Sequence, residues 1–150
     1  MDTADHGSKP LGVGAVVDGR YRIEGPLGEG GMGVVYRAND LKRGVEVALK
    51  ILHQLDRDDA EALARFEREA QLAKVDGRGG VARIHSMGWD RGLPYLAMEL
   101  VNGEDLARVF DSGLMDPRRL AEIVASVART LHACHLAGVV HRDLKPSNVI

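Results

Sequence analysis

The sequence predicts an α+β fold, in which an antiparallel sheet comes first and helices follow, and three observations lead to this class. Short segments with alternating or β-branched apolar residues, separated by turn-forming residues, fill much of the first hundred positions. One segment with helical periodicity, 58–75, interrupts them. A longer helical segment, 116–138, lies near the end of the 150 residues. The predicted order is therefore five strands with one inserted helix, and then helices.

The strands are predicted where apolar side chains alternate with polar ones or where β-branched and aromatic residues cluster. The five predicted strands are 19–27, 34–38, 45–52, 81–88 and 93–101. The segment 42–44 provides a turn before the third strand, and "WDRG" at 89–92 provides a turn between the last two. Neighbouring strands are thus joined by short connections, except where the inserted helix intervenes.

The helices are predicted from periodicity and from their end signals. Acidic residues in the first turn of 58–75 suit the positive end of a helix dipole. A short helix is expected over 103–110. For the long helix, Asp116 is the expected N-cap, Pro117 fits the first helical position, and Gly138 is the expected stop.

Composition narrows the class of protein before any motif is considered. With 22 acidic and 20 basic residues, the chain has no charge excess for binding nucleic acid. Cys134 is the single cysteine, so no internal disulfide can form, which fits a reducing compartment. No apolar run approaches the ~18 residues of a membrane span, and the amino terminus lacks the layout of a secretory signal. We therefore expect a cytoplasmic protein with a disordered leader at 1–18.

Four glycines fall within six residues in the segment "LGEGGMGVVYRA", 27–38. Gly28, Gly30 and Gly33 give the pattern G-x-G-x-x-G. The dinucleotide-binding form of this pattern requires a helix directly after the glycines, and here β-forming residues follow instead. The P-loop signature is absent. Two interpretations remain, an ordinary hairpin or a glycine-rich strand pair whose backbone N–H groups approach phosphates.

Lys50 and Glu69 form a second candidate feature. Alternation in 45–52 places Lys50 and the small Ala48 on one face of the strand, opposite the face with Val47 and Leu49. Glu69 falls on the same stripe of the predicted helix as Phe66, where a carboxylate requires a partner if it is buried. Lys50 is the natural partner. The alternatives are a solvated lysine and a glutamate at the edge of its stripe.

The segment "HRDLKPSN", 141–148, concentrates acidic, basic and amide groups directly after the apolar "GVV". Asp143 could accept a proton from a hydroxyl group. Lys145 could stabilise a transferring phosphoryl group, and Asn148 offers the hard oxygen ligand that Mg²⁺ prefers. Such a combination is typical of a catalytic loop rather than of a structural element.

Taken together, these motifs resemble the signature set of the eukaryotic-type protein kinase family, in its bacterial serine/threonine branch. The resemblance runs from about Tyr21 to Ile150, with the motifs in the family's order. A lysine two residues after the aspartate, as at Lys145, is typical of serine/threonine rather than tyrosine kinases. The resemblance implies a protein-kinase-like fold, with a five-stranded N-lobe over 19–101 and the first helices of a helical C-lobe over 102–150.

The resemblance also implies roles for individual residues, with ATP and Mg²⁺ as cofactors and protein serine or threonine hydroxyls as substrates. The residues that would contact ATP are Leu27, Gly28, Gly30, Gly33, Val35, Ala48, Lys50, Met98, Glu99, Val101 and Asp105. Within this set, Met98 resembles the gatekeeper, Glu99–Val101 the hinge, and Asp105 would lie near the ribose. The catalytic group would comprise Lys50, Glu69, Asp143 and Lys145, and Asn148 would bind the metal.

The family's D-F-G segment, which contributes its main magnesium ligand, does not occur in these 150 residues. We therefore expect a partial kinase domain with little phosphotransfer by the isolated chain. Apolar residues of the long helix, such as Val124, are expected to be partly exposed. The alternative function is a non-catalytic, kinase-like module that binds a nucleotide or a protein partner.

Overall fold

The computed structural model describes residues 11–30, 33–52, 64, 80–113, 115–141 and 144–150. These residues divide between two compact units. The first unit contains 11–30, 33–52, 64 and 84–100, and the second contains 80–83 and the described residues from Val101 to Ile150. A sheet forms the first unit and helices dominate the second, which confirms the predicted α+β class.

The first unit is one antiparallel sheet of six strands in the order β1-β2-β3-β4-β6-β5. The strands are β1 Val16–Val17, β2 Tyr21–Gly30, β3 Gly33–Asp40, β4 Val45–Leu52, β5 Ile84–Asp90 and β6 Leu93–Glu99. The last five correspond to the five predicted strands. The bounds of β4 are those the sequence predicts, because a turn signal precedes a clear alternation there.

The sixth strand, β1, lies in the segment predicted as a disordered leader, 1–18. Val16 and Val17 pair with the start of β2, and Val17 is only 2% exposed. The backbone N–H of Leu11 donates a 3.0 Å hydrogen bond to the hydroxyl of Tyr36. For residues 11–18 the prediction is therefore wrong, because this glycine-rich stretch has no periodicity of its own and gains its order from the sheet it covers. Residues 1–10 lie outside the described part of the chain.

The core of the first unit lies on one face of the sheet. Its buried side chains come from alternate positions of the strands, and they are Val17, Tyr21, Ile23, Tyr36, Ala38, Val47, Leu49, Ile51, Tyr95 and Ala97. Leu11 and Ala15 pack against this cluster from the amino-terminal segment. Since successive side chains point to opposite faces, the residues between these positions point away from this core.

Three polar contacts join residues 18–21, at and just before the start of β2, to other strands of the sheet. The carboxylate of Asp40 is 0% exposed and accepts two hydrogen bonds from the guanidinium of Arg20, at 2.8 and 2.7 Å. The hydroxyl of Tyr95 donates to Asp18 at 2.5 Å. The hydroxyl groups of Tyr21 and Ser86 are also 2.5 Å apart. Each buried polar group in these contacts therefore has a partner, as a low-dielectric interior requires.

The second unit contains α1, Leu106–Asp111, α2, Pro117–Leu136, and a 3-10 turn, Pro146–Asn148. The predicted start of α2 is confirmed, because the side chain of Asp116 accepts a hydrogen bond from the backbone N–H of Arg118 and Pro117 is the first helical residue. Among the described residues no helix is both long and apolar enough to cross a membrane.

The end of α2 is a Schellman motif. Gly138 has a φ of 77°, and its N–H donates to the carbonyl of His135, while the N–H of Val139 donates to the carbonyl of Cys134. Cys134 and Val139 are both buried, and Val81 packs against them. The predicted stop at Gly138 is thus confirmed, and Cys134 is a small core residue.

That small cluster explains why residues 80–83 group with the second unit, whereas the sequence places them in the first lobe. Val81 precedes β5 and packs on the end of α2. Along α2 the side chain of Val124 is 55% exposed, in line with the expectation for this helix. The predicted helix 58–75 lies outside the described residues, apart from Ala64.

Candidate functional site

The register of the sheet brings the predicted ATP-contacting residues of three strands into one row. Lys50 of β4 pairs with Val35 of β3 on one side and with Leu96 of β6 on the other. Val35 pairs in turn with Gly28 of β2. Since directly paired residues of an antiparallel sheet point to the same face, Lys50 and Val35 lie on one face of the sheet, beside the backbone of Gly28.

A second row runs parallel to the first, two residues along the strands. Ala48 of β4 pairs with Arg37 of β3 and with Met98 of β6. The two rows are about 7 Å apart, and neighbouring strands are about 4.8 Å apart. We call the surface formed by Gly28, Val35, Ala48, Lys50 and Met98 the Lys50 face. It is the face opposite the apolar core.

The Lys50 face places the ammonium group of Lys50 beside small or apolar side chains, and Arg37, which pairs with Ala48, borders it. Ala48 is 8% exposed, while Val35, Lys50 and Met98 are half-buried. Ala48 carries only a methyl group, which is small for a strand position two residues from a lysine. The alternation of 45–52 predicted that Ala48 and Lys50 share a face, and the strand register agrees; the binding of a flat ring next to the charge stays a prediction.

The three glycines of the pattern differ in their surroundings. A Cβ atom added at Gly28 or Gly30 would meet no other atom within 4 Å. A Cβ atom added at Gly33 would collide with the carbonyl oxygen of Ile51 and would lie 2.8 Å from the Cα of Leu52. The backbone is therefore open at the first two glycines and crowded at the third.

Leu27 lies at a β-bulge next to the first glycine. Pro26 pairs with Tyr36 and Gly28 pairs with Val35, so that Leu27 is the extra residue of β2. Its side chain is 43% exposed. A bulge changes the direction of the side chains around it, so the alternation of β2 alone does not determine where Leu27 points.

The predicted hinge follows Met98 directly. Glu99 is the last residue of β6, pairs with Val47 and has an exposed side chain. Leu100 is half-buried, and Val101 is 39% exposed. The segment is thus regular backbone as far as Glu99, and the ladder ends there.

In the second unit, Asp105 has a structural role in addition to the one that the resemblance implies. Its carboxylate accepts a 3.0 Å hydrogen bond from the N–H of Arg108 as the N-cap of α1, and it lies 3.5 Å from the guanidinium of the same residue. Capping by aspartate stabilises a helix by about 1 kcal/mol. Any change at Asp105 therefore also affects α1.

Lys145 directly precedes the short turn Pro146–Asn148, and Asn148 is its last residue. Both residues are exposed. The N–H of Asn148 donates to the carbonyl of Lys145 at 2.9 Å. The carbonyl of Val149 then accepts from the N–H of Leu106 at 2.8 Å, which attaches the turn to the start of α1. The turn thus holds the two side chains three residues apart on an anchored backbone.

Glu69 and Asp143 lie outside the described residues. The pairing of Glu69 with Lys50, and the position of Asp143 relative to Lys145 and Asn148, therefore stay predictions.

The structure adds two residues that the sequence analysis did not select. Leu96 is 1% exposed and lies beside Lys50, and Arg37 lies beside Ala48, 3.5 Å from the carboxylate of Glu46. Counting two residues back from Met98 and two forward from Val35 would have found both. That count is meaningful only once β3 and β6 are known to be the neighbours of β4, and the sequence alone does not specify which strands are neighbours.

Comparison with known protein families matches residues 21–150 to the protein kinase domain. The serine/threonine-protein kinase pkn2 of Myxococcus xanthus is 42% identical over 134 residues, which cover 89% of this chain and 16% of pkn2. The serine/threonine-protein kinase PknA of Mycobacterium tuberculosis is 37% identical over 144 residues, which cover 92% of this chain and 33% of PknA.

Among solved structures, the crystal structure of the M. tuberculosis PknI kinase domain matches with a TM-score of 0.80 at 29% identity, over 93% of this chain and 56% of that one. A crystal structure of a point mutant of the same domain matches with a TM-score of 0.82. The chain therefore belongs to the protein kinase family, in its bacterial serine/threonine branch. It spans about a sixth to a third of the length of the two relatives named above.

Proposed function

We propose that this chain binds ATP on the Lys50 face and contributes the catalytic loop of a serine/threonine protein kinase. The observation that supports this most directly is the cross-strand row of Gly28, Val35 and Lys50. This row combines open backbone, an apolar side chain and an ammonium group within three neighbouring strands. The family uses ATP with Mg²⁺ in general, and the chemistry of this face fits that nucleotide.

Each part of ATP has a suitable partner in this proposal. The ammonium group of Lys50 attracts the α- and β-phosphates, and the open backbone at Gly28 and Gly30 allows N–H groups to approach them. Val35 and Ala48 offer apolar contact to the flat adenine ring. Glu69 would orient Lys50.

The donor chemistry for a magnesium ion also fits. Asn148 is exposed on a turn whose backbone is anchored to α1, so its amide oxygen belongs to a fixed segment. A hard oxygen donor of this kind suits Mg²⁺, which neutralises phosphate charge when it is bound.

The proposed reaction is transfer of the γ-phosphoryl group of ATP to a serine or threonine hydroxyl of a protein. Asp143 accepts the hydroxyl proton, the hydroxyl oxygen forms a bond to the γ-phosphorus, and the bond from that phosphorus to the β–γ bridging oxygen breaks, releasing ADP. Lys145 stabilises the charge on the transferring group. The serine/threonine assignment follows the names of the relatives and the lysine at position 145.

The binding step is tested by thermal unfolding with ATP and Mg²⁺. A ligand at about 100 times its Kd stabilises a protein by about 2.7 kcal/mol, which corresponds to a rise in Tm of roughly 5 to 10 °C at this size. Lys50→Met removes a charge-assisted contact of about 1.5–3 kcal/mol and should reduce the ATP-induced rise by at least half. The matched control is Lys42→Met, because Lys42 is exposed in the turn before β4.

An unchanged rise in Tm in Lys50→Met, with a clear rise in the unaltered protein, would place the nucleotide elsewhere.

The transfer step is tested separately, with the longest form of the protein that the gene encodes and a serine-containing basic protein as substrate. Asp143→Asn should abolish phosphorylation of the substrate while the ATP-induced rise in Tm persists. ATP binding without phosphorylation by the unaltered protein would favour the non-catalytic alternative.

A further inference from the structure

The third glycine of the pattern is in a different environment from the first two. Gly33 begins β3 and pairs with Leu52, with a φ of 156°, and the residue is buried. A methyl group at this position would meet three backbone atoms of β4, the Cα of Leu52 and the carbonyl carbon and oxygen of Ile51. Backbone atoms cannot rotate away as a flexible side chain can, so a substitution must displace one of the two strands.

The displacement would occur directly next to the proposed phosphate-binding lysine. Ile51 follows Lys50 in β4, and the pairs Val34–Ile51 and Val35–Lys50 continue the ladder from Gly33. Widening the ladder at the Gly33–Leu52 pair therefore changes the position of Lys50 relative to Val35. We propose that Gly33 is a positioning residue for Lys50, whereas Gly28 and Gly30 provide the open backbone for phosphates; this inference rests on the function proposed above.

The other glycines of the same hairpin provide matched comparisons. Gly25, like Gly28 and Gly30, has no atom within 4 Å of an added Cβ, and its φ does not lie in the left-handed region. Gly25→Ala therefore tests the change from glycine to alanine in this hairpin without a collision. Gly30→Ala tests a glycine at which an added Cβ meets no other atom of the protein, but which is proposed to lie close to the phosphates.

A double-mutant cycle tests whether Gly33 acts through Lys50. We expect Gly33→Ala to weaken binding of a fluorescent ATP analogue roughly tenfold, a typical size for coupled neighbours. In a Lys50→Met background the same substitution should cause no further loss beyond about twofold. Gly30→Ala should weaken binding in both backgrounds, because its proposed contact does not depend on the lysine. Equal losses for Gly33→Ala in the two backgrounds would overturn the proposal.

Amide hydrogen exchange provides a second readout that needs no nucleotide. Gly33→Ala should speed exchange at 50–52 of β4, whereas Gly25→Ala and Gly30→Ala should leave these amides as in the unaltered protein. The samples contain sucrose, which favours the compact state, so that a destabilised variant remains folded. Unchanged exchange at 50–52 in Gly33→Ala would contradict the inference. Absence of ATP binding by the unaltered protein would instead contradict the proposed function, and the exchange result would still decide the role of Gly33.

Discussion

Replacing Asp40 with alanine should destabilise the first unit far more than replacing an exposed carboxylate of the same sheet. The carboxylate of Asp40 is fully buried and accepts hydrogen bonds from Arg20 at 2.8 and 2.7 Å and from the backbone N–H groups of Lys42 and Arg43 at 3.1 and 3.3 Å. Removing the carboxylate leaves a guanidinium with a side-chain exposure of 28% and no ion-pair partner at this position.

The magnitude follows from the burial of the pair. Removal of one partner of a buried ion pair typically costs about 3–5 kcal/mol. Because water reaches part of the Arg20 side chain, we expect the lower end of that range, about 3 kcal/mol, which corresponds to a fall in Tm of roughly 6 to 12 °C. The matched control is Glu46→Ala, since Glu46 and Arg37 are 3.5 Å apart and about half exposed, and such pairs contribute about 0–1 kcal/mol.

The assay is urea unfolding followed by tryptophan fluorescence. Trp89 is the single tryptophan of the sequence and lies in β5, so its signal reports the first unit. Comparable losses of unfolding free energy in Asp40→Ala and Glu46→Ala would refute the argument that burial makes the Asp40 contact strong.

The same contact predicts how the free energy of unfolding falls at acid pH. Hydrogen bonding to Arg20 holds the pKa of Asp40 below its usual range, with the backbone of Lys42 acting in the same direction. A lowered pKa in the folded state means that the contribution is complete above the unfolded pKa of about 3.9 and is lost as the pH falls below it. The difference in unfolding free energy between the unaltered protein and Asp40→Ala should therefore shrink below about pH 4.

Three further substitutions test contacts that lie within one unit or the other. Tyr95→Phe removes the hydrogen bond to Asp18 and should cost about 1–2 kcal/mol in the urea assay. Burial raises the pKa of Tyr95, so the unaltered protein should lose stability above about pH 10, and the variant should lose less. Gly138→Ala places a methyl group at a φ of 77° and should cost about 1–2 kcal/mol, measured by following the helical ellipticity of the protein against temperature. Asp116→Ala should lower helix stability by about 1 kcal/mol in the same measurement, and no change in either variant would contradict the assigned helix ends.

Patterns of neighbouring residues in the sequence were sufficient to predict strands β2 to β6, the ends of α2 and the family, but not β1. The alternation around Lys50 involves residues within a few positions of it, and Asp116 and Gly138 each act on the adjacent turn of α2. These interactions are between sequence neighbours, so the sequence alone is enough to predict them. The motifs at 28–33, 45–50 and 141–148 indicated a protein kinase before any geometry was known, and the comparisons confirm the family.

Only the tertiary structure decided which of these residues lie side by side. The register that joins Gly28, Val35 and Lys50 arises from pairing between distant segments, and alternation within one strand carries no information about its neighbour. The order of residues 11–18 and the burial of Asp40 depend in the same way on surfaces that other strands provide. The crowding at Gly33 is the clearest case, because three glycines that are equivalent in the sequence differ only through the backbone of β4 that folds against one of them.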